Sequence, residues 1–147
     1  MMAFDEISTV LQLAASPAII ISACGLLLLT MSNRLGRAID RSRILARERD
    51  AATGRGSVKV EAQLEILMRR CRLIRASILY ASICILLTAI LILLLFVFAS
   101  AKVKAGWAII LCFGASICAL ILSLIYFIRD INQALRAVLK EVERDTP

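Results

Sequence analysis

The sequence predicts an all-α membrane protein with a single domain, three transmembrane helices and a long cytoplasmic helical hairpin between the first and the second. Of its 147 residues, 61% are hydrophobic, and the mean hydropathy of +0.86 lies far above the range of soluble globular proteins. Three apolar runs without a charged residue, at residues 10–31, 76–99 and 107–128, contain 22, 24 and 22 residues. As helices they would rise roughly 33 to 36 Å, enough to cross a hydrocarbon core of about 30 Å.

The start of the first apolar run allows several interpretations. The tetrapeptide Ile21–Cys24 resembles the cleavage box of bacterial lipoproteins, but no lysine or arginine precedes the run, as a signal peptide would require. We therefore interpret the run as a membrane span. Pro17 allows either a kinked continuous helix or a short amphipathic surface helix followed by a spanning helix that begins at Pro17, with Ser16 as its cap.

Lysine and arginine are distributed unevenly among the segments outside the apolar runs. Residues 32–75 contain twelve, residues 100–106 contain two and residues 129–147 contain four, whereas none precedes the first run. Positive residues accumulate in the cytoplasmic connections of membrane proteins. We therefore expect the amino terminus outside, and the segment 32–75 and the carboxyl-terminal tail 129–147 in the cytoplasm.

The long segment 32–75 has the pattern of a helical hairpin. Residues 33–52 and 57–75 form two arms without proline, and the connector Thr53–Gly56 contains two glycines that favour a turn. Apolar residues recur every three or four positions in each arm, which is typical of two helices that pack along a seam. The predicted hairpin seam consists of Leu35 and Ile39, continued by Ser42 and Ala46, in the first arm and of Val60, Leu64, Leu67, Cys71 and Ile74 in the second.

One further pattern favours a symmetric homo-oligomer, and a second is compatible with it. The second arm carries a weaker apolar line, at Ala62, Ile66 and Leu73, which an isolated two-helix hairpin would leave in water. The third span has small residues four apart, a spacing that lets helices approach closely. This second pattern fits packing within one subunit as well as packing between subunits.

The sequence lacks the groups that most enzymes and metal proteins use. It contains no histidine, and no charged side chain lies within the three apolar runs. Asp40 and Asp130 are too isolated to form a catalytic set, so we expect no catalytic residue, no bound metal and no cofactor. The five cysteines form no Cys-x-x-Cys pair and are interpreted as small apolar packing residues.

The first helix carries one stripe that suggests a pore. If several subunits placed this stripe around an axis, it would form a polar vestibule, an apolar constriction and cationic rings that favour anions. The hypothesis is an oligomeric, anion-favouring ion channel. The candidate pore-lining residues, at intervals of three and four, are Thr9, Gln12, Ser16, Ile19, Ala23, Leu26, Thr30, Arg34, Arg37 and Arg41.

The same arginines have a simpler explanation. Positive residues just inside a span fix its orientation, and each is attracted to anionic headgroups by about 1 kcal/mol. The alternative hypothesis is therefore a non-conducting membrane scaffold whose basic hairpin binds anionic lipid or a cytoplasmic partner. Its candidate lipid or anion contacts are Arg34, Arg37, Arg41 and Arg43, and Asp40 can pair with its arginine neighbours. Because no nucleic-acid-binding module is present, we expect no nucleic acid as a partner.

The segment that begins at Asn33 resembles a family of small bacterial inner-membrane proteins, the domain of unknown function 2721 family. The positions that carry the resemblance are Asn33, Arg34, Leu35, Arg37, Asp40, Arg41 and Arg43, with a proline near the start of the first span. The resemblance extends over nearly the whole chain. It implies a location in the bacterial inner membrane and the predicted architecture, and it implies no activity.

Overall fold

Three long helices make up the described part of the chain. The computed structural model describes residues 2–51, 55–101 and 106–145, and within them the side chains of residues 8, 12, 15–49, 60–98 and 106–135. Helix α1 is Met2–Ala51, α2 is Arg55–Ala101 and α3 is Gly106–Asp145. Each contains a stretch long and apolar enough to cross a membrane, Ala15–Arg49, Val60–Phe98 and Gly106–Leu135. The predicted all-α fold with three apolar helices is confirmed.

Helix α1 runs through Pro17 without ending there. Pro17 lies inside the helix, although proline lacks the N–H that would bond to the carbonyl four residues earlier. The helix therefore continues on both sides of Pro17, and Ser16 does not cap a helix that starts at this position. Of the two interpretations of this region, the structure has the continuous helix.

Two differences from the sequence prediction concern the connector between the arms and the carboxyl-terminal tail. Helix α2 begins at Arg55, inside the predicted turn, of which Thr53 and Gly54 lie outside the described residues. Helix α3 continues past Ile128, the predicted end of the third span, to Asp145. Nothing between these residues breaks a helix, because the segment contains neither proline nor glycine.

The chain divides into two compact units. The first combines Met1–Leu29 with Leu79–Leu122, and the second combines Thr30–Ile78 with Ser123–Pro147. Each unit thus takes a segment from all three helices. The second unit contains both predicted hairpin arms and also the carboxyl-terminal part of α3, so the two arms do not form an isolated two-helix hairpin.

The first unit buries mostly small residues and exposes many large apolar ones. Its core contains Cys24, Cys84 and Ala119, with Thr88 and Ser116 also buried. The most exposed of its large side chains include Ile19, Leu26 and Ile110, at 70%, 70% and 73% exposure. Small interior residues allow close helix packing in membranes, and an apolar exterior of this extent suits lipid.

The second unit buries a narrow face of each helix. On α1 this face is Met31, Ala38 and Leu45, spaced by seven residues, which is the spacing of a coiled-coil seam. On α2 it includes Ile74 and Ser77, and on α3 it includes Ser123 and Asp130.

The predicted hairpin seam lies partly on these buried faces. Ile74 is buried, and Leu35, Val60, Leu64, Leu67 and Cys71 are half-buried. Ile39 is 37% exposed, and the neighbouring Ala38 takes the buried position of this turn. Of the weaker apolar line on α2, Leu73 is half-buried while Ile66 is 54% exposed.

Candidate functional site

The candidate site is built around Asp130 on α3. Ser116, Ser123 and Asp130 follow one another at intervals of seven residues, and all three are buried. A seven-residue interval returns to the same face of a helix that packs in a coiled coil. The carboxylate of Asp130 therefore occupies the buried face of α3 within the second unit, two residues after the end of the predicted third span.

Two arginines neutralise this buried carboxylate. Asp130 has no exposed surface, and its Oδ2 lies 2.9 Å from Nη2 of Arg34. Arg70 donates a hydrogen bond from Nε to Oδ1 over 3.3 Å. A buried carboxylate is tolerated only when it is paired, because removal from water costs several kcal/mol. Asp130 thus joins α3 to both α1 and α2 in the second unit.

The two carboxylate oxygens are not equivalent. Oδ1 accepts the hydrogen bond from Arg70, whereas Oδ2 is close to Arg34 but accepts no well-directed hydrogen bond from the described residues. The contact between Arg34 and Oδ2 is therefore an attraction between charges without the added strength of a linear N–H···O bond. Arg34 also lies over the ring of Phe127, with its Cζ 5.3 Å from the ring centroid, a cation–π distance.

Two serines hold α2 and α3 together on the same faces. Ser77 Oγ donates to the backbone carbonyl of Ser123 over 2.7 Å, and Ser123 Oγ donates to the carbonyl of Ser77 over 2.8 Å. Ser77 Oγ also lies 3.2 Å from Sδ of Met31 on α1. Only side chains as small as serine allow a hydroxyl to reach the backbone of the neighbouring helix. These contacts restrict the distance between α2 and α3 about two helical turns before Asp130.

An open recess lies beside the Arg34–Asp130–Arg70 cluster. It has a volume of about 240 Å³ and is lined by Arg34, Arg37, Ala38, Arg41, Leu67 and Arg70. Arg37 and Arg41 are exposed and have no ion pair with a carboxylate among the described residues. We call these six residues the arginine recess. Four guanidinium groups face one carboxylate, so the site has three positive charges in excess.

The predicted site residues divide among several environments. In the first unit, Gln12, Ser16, Ala23 and the apolar Ile19 and Leu26 are exposed, while the side chain of Thr9 lies outside the described residues. In the second unit, Thr30, Arg37, Arg41 and Arg43 are exposed, but Arg34 is only 24% exposed and bound to Asp130. Asp40 is exposed and forms no ion pair with a described arginine.

Arg70 and Asp130 were not predicted as site residues from the sequence. Asp130 looked isolated because its partners are far away in the sequence, on two other helices. A signal was nevertheless present. The small residues of the third span continue at an interval of seven from Ser116 through Ser123 to Asp130, and a carboxylate in such a register is expected to face the interior of a bundle.

The cysteines do not assemble into a larger cluster. Cys24 and Cys84 contact each other in the first unit, with their sulfur atoms 3.8 Å apart. Cys112 lies 3.2 Å from the backbone carbonyl of Leu87. Among the residues described, no three cysteine or carboxylate side chains converge in a way that could hold a metal ion.

Comparison with known families identifies the group to which the chain belongs. The family described as "Protein of unknown function (DUF2721)" matches residues 14–139. The chain belongs to this family. The match contains the whole arginine recess and Asp130, and it confirms the resemblance seen in the sequence. The comparisons with curated proteins and with solved structures gave no match.

Proposed function

We propose that this DUF2721 protein is a non-conducting membrane scaffold whose basic arms bind anionic lipid. The observation that carries the proposal is the exposure of the arginines that follow the first apolar run or precede the second. Arginine side chains close to the membrane surface are attracted to anionic headgroups by about 1 kcal/mol each, and the attraction falls off within a Debye length. Those that are exposed and have no ion pair among the described residues include Arg37, Arg41, Arg43, Arg47, Arg69, Arg72 and Arg75.

The proposed membrane topology is based on the distribution of lysine and arginine along the chain. The arms and the carboxyl-terminal tail lie in the cytoplasm of a bacterial cell, and the amino terminus lies outside the inner membrane. This orientation places the twelve positive residues of the segment 32–75 on the cytoplasmic side, where anionic lipid makes the surface potential negative. The scaffold role requires no catalytic group and no cofactor, and its partners are lipid headgroups and further copies of the chain.

Boundary-lipid selectivity tests the proposed lipid binding. The full chain is reconstituted in phosphatidylcholine vesicles that contain a trace of spin-labelled phosphatidylglycerol or spin-labelled phosphatidylcholine. We expect electron paramagnetic resonance to show a larger immobilised fraction for phosphatidylglycerol, and we expect this difference to shrink as the salt concentration rises. Equal immobilised fractions of the two lipids at low salt would refute lipid binding by the basic arms.

An oligomeric, anion-favouring channel is the second candidate. Its support is the exposed set of polar and small residues in the first unit, Gln12, Ser16 and Ala23, next to the apolar Ile19 and Leu26. A second copy of the chain could cover this face, and several copies around an axis would enclose it. Apolar constrictions of this kind gate by dewetting, and rings of arginine select anions.

Flux measurements separate the two candidates. The scaffold predicts no chloride release from vesicles that contain the full chain. The channel predicts chloride release that loses its anion selectivity when Arg37 is replaced by glutamine. Arg43→Gln is the matched control, because Arg43 is also exposed on α1 but does not line the arginine recess.

A further inference from the structure

We propose that the arginine recess is a specific binding site for a single phosphate group, carried by a lipid headgroup or by a small phosphorylated solute. The inference rests on the proposed attraction of the arms to anionic groups, and it adds a defined site to that diffuse attraction. The site consists of Arg34, Arg37 and Arg41 on α1 and Arg70 on α2, which line one recess of about 240 Å³.

The arginines of the recess are arranged in two layers. Arg34 and Arg70 lie at the back, where both contact the buried Asp130 and are only 24% and 22% exposed. Arg37 and Arg41 lie at the front, exposed and without an ion pair to a described residue. The back pair is fixed in position by Asp130, whereas the front pair is available to an incoming anion. A site with a fixed back wall loses less conformational entropy on binding than four mobile surface arginines would.

Arg70 keeps most of its donors for a ligand. Its hydrogen bond to Asp130 uses Nε, so the four N–H groups of its two Nη atoms remain without a hydrogen bond to a described residue. Arg37 and Arg41 contribute five N–H donors each. The planar donor fork of a guanidinium matches two oxygens of a phosphate, which is why arginine is preferred over lysine where phosphate is bound in a defined geometry.

The charge of the recess fits a phosphate better than a monovalent anion. Asp130 cancels one of the four positive charges and leaves three in excess around one concave surface. A phosphate monoester carries about 1.5 to 2 negative charges at pH 7 and offers three acceptor oxygens. Chloride carries one negative charge and has no directional acceptor atoms, so it cannot match the excess charge or the donor geometry of the recess. A phosphate group that binds three or four guanidinium groups can match both.

The expected depth of the recess allows a phosphate to arrive from either phase. Arg34 follows the end of the first apolar run by three residues, about 4.5 Å of helix rise, and Arg41 follows it by ten, about 15 Å. The headgroup layer is roughly 5 to 7 Å thick on each side of the hydrocarbon core. Arg34 therefore lies at headgroup level and Arg41 lies in water, so a lipid phosphate can approach the recess from the headgroup layer and a dissolved phosphate from the water.

Native mass spectrometry of the detergent-solubilised full chain tests the site. The probe is dioctanoyl phosphatidic acid, titrated against the unmodified chain, the double variant Arg37→Gln/Arg41→Gln and the double variant Arg69→Gln/Arg72→Gln. Each variant removes two exposed arginines, and only the first changes the recess. The control arginines are at least as close to an apolar run as those of the recess, so diffuse attraction to lipid would affect both variants. We expect the apparent Kd to rise about tenfold or more in the recess variant and about threefold or less in the control.

The possible outcomes separate the specific site from diffuse attraction. An equal rise of Kd in both variants would overturn the specific site and leave the proposed lipid attraction standing, because that attraction is tested independently by boundary-lipid selectivity. No change in either variant would also overturn the site. Circular dichroism shows whether both variants retain their helices, and the single variants Arg41→Gln and Arg69→Gln repeat the comparison if a double variant does not fold.

Competition with inorganic phosphate identifies the source of the ligand. If inorganic phosphate displaces dioctanoyl phosphatidic acid from the unmodified chain, and chloride at the same ionic strength does not, the recess binds a dissolved phosphate group. If neither salt displaces the lipid selectively while the recess variant still loses affinity, the recess binds a lipid headgroup. Both results support the phosphate site.

Discussion

Arg34 on α1 holds the wholly buried carboxylate of Asp130 on α3, with 2.9 Å between Nη2 and Oδ2. Since Arg70 on α2 binds the other oxygen of the same carboxylate, one side chain connects all three helices of the second unit. The connection lies beside the arginine recess and fixes two of its four arginines. The stability of this part of the chain and the geometry of its candidate ligand site therefore depend on the same carboxylate.

Replacement of Asp130 by alanine should destabilise the protein strongly. It would leave Arg34 and Arg70 partly buried and close together without a counter-charge, and loss of one partner from a buried ion pair typically costs about 3 to 5 kcal/mol. The measurement is thermal unfolding in detergent micelles, followed by circular dichroism. The matched control is Asp40→Ala, which removes an exposed carboxylate without an ion pair among the described residues and should change stability by less than about 0.5 kcal/mol.

A triple replacement separates the ion pairs from the packing that surrounds them. Buried ion pairs can often be exchanged for apolar residues of similar volume at little cost. We therefore expect Arg34→Leu/Asp130→Leu/Arg70→Leu to recover most of the stability that Asp130→Ala loses. A triple variant as unstable as Asp130→Ala would show that the charges themselves, and not only the unpaired arginines, are required for folding.

The reciprocal hydrogen bonds between Ser77 and Ser123 should contribute less than the ion pairs. Interhelical hydrogen bonds in membrane proteins contribute on average about 0.6 kcal/mol and at most about 1.7 kcal/mol. We expect Ser77→Ala to cost an amount in this range, and Ser77→Leu to cost more, because a larger side chain at a buried contact adds about 1 to 3 kcal/mol of overpacking.

Ser32→Ala is the control for these serine variants. Ser32 is exposed on α1, so its replacement should leave the midpoint of thermal unfolding unchanged. If the Ser77→Leu and Ser77→Ala variants had the same midpoint of thermal unfolding, α2 and α3 would not approach each other closely at Ser77.

The helices could be predicted from the sequence because their signals are local. Charge-free runs of sufficient length and the lack of proline between Pro17 and Pro147 are visible without any knowledge of tertiary contacts. The continuation of α3 beyond Ile128 was missed because charged residues enter there, which ends an apolar run but does not end a helix. This continuation changes the architecture, since it places three helices, not two, in the unit that contains the basic arms.

The buried residue of each helical turn was harder to predict from the sequence, because neighbouring residues compete for the same position on the buried face. The spacing of apolar residues in the first arm predicted Ile39 as a seam residue, but the structure buries Ala38. A small side chain permits closer helix approach than a β-branched one, and hydropathy does not measure this. The role of Asp130 likewise depends on tertiary contacts, because its ion-pair partners Arg34 and Arg70 lie on two other helices.

The contact between Cys24 and Cys84 offers a test of the register between α1 and α2 in the first unit. Their sulfur atoms are 3.8 Å apart, so a small side-chain rotation should bring the two thiols into bonding geometry. In a variant with Cys71, Cys112 and Cys118 replaced by alanine, we expect copper phenanthroline to remove two hydrogen atoms from the pair. Mass spectrometry of the intact chain detects this loss.

The control for this cross-link retains Cys24 and Cys118 and replaces the other three cysteines. Cys118 is exposed on α3, so we expect no intramolecular disulfide in this variant under the same conditions. Equal oxidation of the two variants would contradict the register, because it would show that the reagent traps random collisions.

The orientation of the chain in the membrane should follow its arginines. A green fluorescent protein fused after Pro147 folds and fluoresces only in the cytoplasm of a bacterial cell, and a fusion exported in the unfolded state stays dark. We expect a fluorescent carboxyl-terminal fusion, because the twelve positive residues of the segment 32–75 and the four of the tail hold both segments on the cytoplasmic side. A dark fusion that is nevertheless present in the membrane fraction would place the basic arms outside, away from the anionic cytoplasmic leaflet. That result would remove the electrostatic basis of the scaffold and leave the arginine recess without access to cytoplasmic phosphate.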